Sequence, residues 1–428
     1  MLTIIDKQNK EELISYLESR NTEISNDVLL AASNIIADVR ARGDEACKEY
    51  TFKFDGIKMD DFRVSEKEIE DAIHKCDSDF CKAMDEAKKN IEFYHRAQKQ
   101  NGYILTKEMG IFLGQRVLPL ASVGIYVPGG RAQYPSSVLM NTIPAKVAGV
   151  KRIVMVTPPS KEGTINPNIA YAAKIAGVDE IYKIGGAQAV AALAYGTESI
   201  PSVDKIVGPG NIFVAAAKKL VFGKVDIDMI AGPSEILVIA DKNANPEYVA
   251  ADLLSQAEHD PMASPILLTT DTDVLNAVND ELAKQSAVLP KRAIVEQSLA
   301  NYGKAIVCDS LEECVEFSNS IAPEHLELMV EDPMKYLGQV TNAGSVFLGY
   351  YTCESIGDYF GGCNHVLPTS GTARFSSALG VDSFIKKSSF LHYTKEALME
   401  YGNMIQKMAE EENLQGHANA AKVRMESK

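Results

Sequence analysis

The chain has 428 residues, 46% hydrophobic and 24% charged, proportions of a globular protein with room for two or three domains and a buried site. Its formal net charge of -15 argues against the clustered Lys and Arg that a phosphate backbone or an anionic membrane surface requires, so neither nucleic acid nor membrane is expected as a partner. The N-terminal stretch through Arg20 mixes Asp, Lys and Glu without the apolar core of a signal peptide, and no window of about 20 residues is predominantly apolar, so a cytoplasmic location is expected.

In chain order, the first hundred residues carry helical periodicity, with Val28, Leu29, Ile35, Ile36 and Val39 on one stripe and Ile69, Ile73, Phe80 and Met84 on another. From about residue 118 the texture changes to short apolar runs, at 122–127, 152–156, 180–184 and 204–207, each ending at Gly or Pro before a small-residue helix. Such βα units in succession predict an α/β fold with a mainly parallel sheet and helices on its faces. After Ile227 the pattern resumes with a strand at 235–240, a helix at 246–259 and a strand at 265–269, a second α/β unit. The tail from Lys395 is helical again, with Leu398, Met404, Ile405 and Met408 on one stripe. It has too little core to fold alone and must pack on its own subunit or on a partner.

Three places carry chemistry. On the helix opening at Asn245-Pro246, Gln256 and His259 stand three residues apart on one flank of the apolar stripe, as paired ligands or as a residue beside a capping histidine. At 322–328 (APEHLEL) Glu324 and His325 set a carboxylate beside an imidazole, which suits a reaction needing one base for an alcohol and another for a water. A strand's period of two would instead send these neighbours to opposite faces. The glycine-rich segment 354–369 can wrap a ligand, and its Asp358 is either a hard oxygen donor for a metal or an Asx-turn residue. Gln256, His259, Asp358 and His417 together would form a site of nitrogen and oxygen donors without thiolate, compatible with zinc, manganese or cobalt.

The dinucleotide fingerprint is incomplete. In 208–213 (GPGNIF), Phe213 stands where G-x-G-x-x-G has its third glycine, although a phosphate can still meet the helix N-terminus there. The turn at 185–189 (GGAQA) offers the same two readings, a ligand turn or tight strand-to-helix geometry.

Taken together, the segments 123–130 (VGIYVPGG), 185–189 (GGAQA), 208–211 (GPGN), 231–235 (AGPSE), 255–259 (SQAEH), 322–327 (APEHLE) and 364–369 (NHVLPT) resemble histidinol dehydrogenase, in that family's order across roughly residues 20 to 420. The resemblance implies two Rossmann-like but incomplete parallel-sheet domains with N-terminal helices and a helical C-terminal tail. The expected division is 1–25 as an N-terminal helical segment, 26–121 plus 235–375 as a discontinuous domain carrying metal and catalytic residues, 122–234 as the nicotinamide-cofactor domain, and 376–428 as a tail packed on the partner subunit.

It further implies the last two steps of histidine biosynthesis: oxidation of L-histidinol to L-histidine by two hydride transfers to NAD, through a bound aldehyde, in a homodimer with one zinc per subunit. By motif match Gln256, His259, Asp358 and His417 hold the zinc, with His417 from the second subunit. Ser234, Gln256, His259, His325, Asp358, Glu412 and His417 match the substrate contacts, Tyr126, Gln188 and Asn211 the NAD contacts, and Glu324 and His325 the catalytic bases. The rival reading is a metal-dependent hydrolase of a phosphorylated small molecule, in which Glu324 activates a metal-bound water.

Overall fold

The computed structural model describes residues 1–19, 24–129 and 134–427, so Arg20 and Gly130 of the motifs above lie outside the described residues. In chain order the strands are β1 (Thr3–Ile4), β2 (Tyr103–Lys107), β3 (Ile111–Pro119), β4 (Ser122–Tyr126), β5 (Arg152–Thr157), β6 (Glu180–Lys183) and β7 (Lys205–Val207). They continue with β8 (Asp226–Ile227), β9 (Glu235–Ala240), β10 (Ser264–Thr269), β11 (Lys304–Val307), β12 (His325–Met329), β13 (Ser345–Leu348) and β14 (Ile385–His392). The chain forms two compact units, a large one from Met1–Gln98 with Leu120–Ser383 and a small one from Lys99–Pro119 with Phe384–Lys428.

The large unit contains two parallel sheets, as the succession of βα units predicts. The first is six-stranded in the order β1-β11-β10-β9-β12-β13, and the second five-stranded in the order β6-β5-β4-β7-β8. In β9 every residue is buried, which is why that strand reads as a continuous apolar run rather than an alternation. Ile236 and Val238 face a core with Leu253, Leu275 and Leu299, whereas Leu237 and Ile239 face the opposite core with Leu13, Val315 and Phe317. On the five-stranded sheet, Val154 and Val156 pack with Ile35, Ile36 and Val39 of the N-terminal helix Asn26–Arg42. The short strand β1 adds to the edge of the six-stranded sheet by pairing with β11, although the sequence pattern suggested only helix there.

Asparagine caps two of the helices near the cavities. Asn245 accepts from the Glu247 N–H at 2.9 Å and Pro246 occupies the first turn of the helix Pro246–Ala257, where its missing N–H costs nothing. Asn211 caps the helix Ile212–Val221 in the same way, its Oδ1 accepting from Phe213 and Val214.

The small unit is a three-stranded antiparallel sheet, β14-β3-β2, with the helices Lys395–Glu411 and Gln415–Glu426. The helical tail is as expected, and the antiparallel sheet is an addition that the apolar patterning did not reveal. All five residues of β2 are exposed, so it carries no buried face to read.

Candidate active site

The helix Leu311–Ile321 ends on Ala322, a non-glycine residue in the left-handed region at φ 53°, and Pro323 then aims the chain into β12. Glu324 lies just before the strand and His325 is its first residue, so period two does not separate them. Both are buried, and both are fastened to the backbone of one residue, Glu235 at the start of β9. The Glu235 N–H donates to Glu324 Oε2 at 2.9 Å, and the Glu235 carbonyl lies 3.0 Å from His325 Nδ1. A carbonyl only accepts, so Nδ1 carries the hydrogen and Nε2 is the nitrogen left to exchange a proton.

Three carboxylates surround this imidazole. Glu324 and Glu354 each approach Nδ1 to 3.8 Å, and Asp358 Oδ1 lies 3.7 Å from Nε2. Burial alone would lower the basicity of His325, but the charges of Glu324, Glu354 and Asp358 outweigh it and push its pKa up to about 10. Burial pushes Glu324 up to about 8, against the opposing charge of His325, and Glu354 up to about 7. Asp358 is held below the usual carboxylate range because the neighbouring histidines His325, His365 and His259 overcome its burial. The His259 imidazole is lowered by burial.

These groups open into a cavity of about 380 Å³ whose lining includes Ser234, Gln256, His259, Glu324, His325, Asp358 and His365. The structure thus brings together six of the residues singled out in the sequence, from segments more than a hundred positions apart. Gln256 is fully buried, and among the described residues neither atom of its side-chain amide has a hydrogen-bond partner. A buried amide in that state lacks what a ligand would supply. His325, Glu354 and Asp358 also present donor atoms within 4.8 Å of one another, a cluster that shares only Asp358 with the expected metal set. The donors are nitrogen and oxygen, and with Gln256 and His259 beside them they fit a divalent cation such as zinc.

Two contributors escaped the sequence reading. Glu354 stands one helical turn before Asp358, a spacing that puts both on one face of the short helix Glu354–Tyr359. His365 places Nδ1 2.8 Å from the Asp358 carbonyl and Nε2 3.1 Å from Ser137 Oγ, tying Asp358 to the helix Pro135–Ala148.

A second cavity, of about 650 Å³, includes Tyr126, Gln188 and Asn211 in its lining, with Tyr50, Phe54, Asp55 and Phe213. Tyr126 Oη accepts from the Gly186 N–H at 3.0 Å, which joins the end of β4 to the glycine turn of the helix Gly186–Tyr195. Gln188 is fully buried with both amide atoms unpartnered among the described residues, like Gln256. Glu412 and His417 belong to the small unit, where Glu412 caps the helix Lys395–Glu411 and His417 is exposed in the first turn of the following helix.

The family model for histidinol dehydrogenase matches residues 18–425 of the chain. The chain belongs to the histidinol dehydrogenase family. It is 53% identical over 414 residues to a histidinol dehydrogenase of Clostridium acetobutylicum, covering 97% of this chain and 96% of that one. It is 54% identical over 421 residues to one of Bacillus cereus, covering 98% of each. A crystal structure of histidinol dehydrogenase from Elizabethkingia anophelis superposes with a TM-score of 0.93 at 44% identity, covering 99% of this chain and 98% of that chain. The protein is therefore an oxidoreductase of this family, acting on histidinol in histidine biosynthesis, which displaces the hydrolase reading. Among the described residues no helix is long and apolar enough to cross a membrane.

Proposed function

We propose that the chain performs the four-electron oxidation of L-histidinol to L-histidine, with NAD as the hydride acceptor and one zinc ion per subunit. The observation that carries this reading is the fastening of Glu324 and His325 to the two backbone groups of Glu235 at the wall of a cavity that also presents Gln256, His259 and Asp358.

In the neutral imidazole the Glu235 carbonyl holds the Nδ1 hydrogen, so His325 Nε2 receives the alcohol proton as a hydride leaves the carbinol carbon. The surrounding carboxylates stabilise the imidazolium that results. Glu324, whose burial raises its affinity for a proton, acts as the carboxylate and takes a proton from the water that adds to the aldehyde. His325, after releasing its first proton, accepts the second hydroxyl proton as the second hydride leaves. A zinc ion held by Gln256, His259, Asp358 and His417 would orient the imidazole and amine of histidinol, and its charge would offset the carboxylates that hold His325 protonated. Ser234 contacts the substrate, and the dinucleotide occupies the cavity of Tyr126, Gln188 and Asn211.

The same reading assigns substrate and metal to 26–121 with 235–375, and the dinucleotide to 122–234. The segments 1–25 and 376–428 are flanking helical parts. It includes a cytoplasmic homodimer in which the second subunit supplies Glu412 and His417 to the site. Supporting that, the small unit exposes Leu391, Met404 and Met408 at 70%, 63% and 69%, apolar surface that a partner would cover.

The test is NADH formation from L-histidinol by zinc-loaded protein, wild type against Gln256→Ala and His325→Asn. Turnover in the wild type, loss of zinc in the first variant and loss of rate with zinc retained in the second are expected. Turnover by protein stripped of metal would overturn the zinc assignment.

A further inference from the structure

Between the two cavities runs the turn Gly208-Pro209-Gly210, which lines the first, while Asn211 and Phe213 immediately after it line the second. The segment Pro128-Gly129 borders both cavities too, so a dinucleotide seated in the second, with its nicotinamide in the cavity of His325, has this turn and that segment as its neighbours. Gly208 has φ +110°, and a Cβ there would lie 2.2 Å from the Tyr126 carbonyl oxygen, so backbone approaches backbone at a position only glycine allows.

Both polar groups of Gly208 are claimed by one ion pair. Lys218, on the helix Ile212–Val221, donates from Nζ to the Gly208 carbonyl at 2.9 Å, and Asp228 Oδ2 accepts from the Gly208 N–H at 2.7 Å. Lys218 and Asp228 are in direct contact with side chains 4% and 2% exposed, and Asp228 Oδ1 also accepts from the Met229 N–H at 2.7 Å. A pair this deep is a poor source of stability, because apolar residues of the same volume fold as well or better. What it supplies is geometric: it ties the turn to the linker that runs from Asp228 to Ser234 and β9.

We propose that the buried Lys218–Asp228 pair is a positioning device that fixes the Gly208–Gly210 turn under the nicotinamide end of the dinucleotide. Both residues border the cavity of His325, but their charged ends are engaged with each other and with Gly208, and they act through the backbone of Gly208. The proposal rests on the NAD reading above.

The test is titration of NADH fluorescence in the metal-loaded protein, with melting temperature and the histidinol KM measured alongside. Removing one partner alone leaves a buried charge unpaired, so the informative variant is Lys218→Met with Asp228→Asn, which removes both charges yet leaves the Gly208 carbonyl without its donor. It is expected to melt close to the wild type, to bind NADH about tenfold more weakly, and to keep its histidinol KM within about twofold. Should that variant not fold, Lys218→Arg is read the same way, since a bulkier donor displaces the turn while keeping the charge. NADH affinity equal to wild type in a folded variant overturns the positioning role and leaves the NAD reading standing. No NADH binding by the wild-type protein overturns both.

Discussion

Ser255 Oγ donates to Glu354 Oε2 at 2.6 Å, joining the helix Pro246–Ala257 to the helix Glu354–Tyr359 one residue before Gln256 and one turn before Asp358. The bond holds two proposed metal ligands at a set spacing through their neighbours. Ser255→Ala leaves the Glu354 carboxyl buried with a partner missing, at a cost of about 1.5–3 kcal/mol. The expected outcome is a lower denaturant midpoint and faster zinc loss to a competing chelator, both measurable on purified protein.

Gln256 offers the opposite trade. Its buried amide has no partner among the described residues, so Gln256→Leu should stabilise the metal-free protein by about 1–3 kcal/mol while removing a zinc donor. Thermal melts with and without zinc check this. A metal-free melt below that of the wild type would contradict it.

Gly344 lies where β13 begins beside β12, and a Cβ there would sit 2.5 Å from the Glu324 carbonyl oxygen. Gly344→Ala must therefore move the backbone that aims Glu324 and His325. A fall in kcat of about a hundredfold is expected, with the KM for NAD little changed, because small displacements of catalytic groups are costly. Steady-state kinetics separate the two constants.

Asp252 and Glu327 face each other behind the site, and burial pushes Asp252 up to about 6 and Glu327 well above its ordinary value. The sign for Asp252 follows from linkage: the folded protein prefers the protonated acid, so its contribution is fully favourable below pH 3.8 and is lost as pH rises toward about 6. Asp252→Asn should accordingly gain about 1–3 kcal/mol over the wild type near neutrality and lose that advantage in acid. Urea unfolding across that range measures it.

Much of this was legible in the residues. The strand at 235–240 and the capped helix from Pro246 appear where apolar runs and Asn-Pro place them, because deep burial leaves the strongest patterns. The antiparallel sheet was not legible, since β2 is exposed and β14 reads Ile-Lys-Lys-Ser-Ser, with no apolar alternation to mark a face. At the site, motif order identified Gln256, His259, Glu324, His325 and Asp358, whereas period two misjudged Glu324 and His325, because Glu324 stands ahead of the strand rather than in it. Glu354 was passed over because a six-residue helix inside a glycine-rich segment has no periodicity to read, and His365 because it stands in irregular chain beyond that helix.

The most direct test of the central claim is the yield of NADH from limiting L-histidinol with zinc-loaded wild-type protein and with His325→Asn. Two NADH per histidinol in the wild type, with the variant slowed about a hundredfold or more, is the predicted result. One NADH per histidinol would contradict oxidation through a bound aldehyde, and none, with zinc content confirmed, would contradict the proposed chemistry altogether.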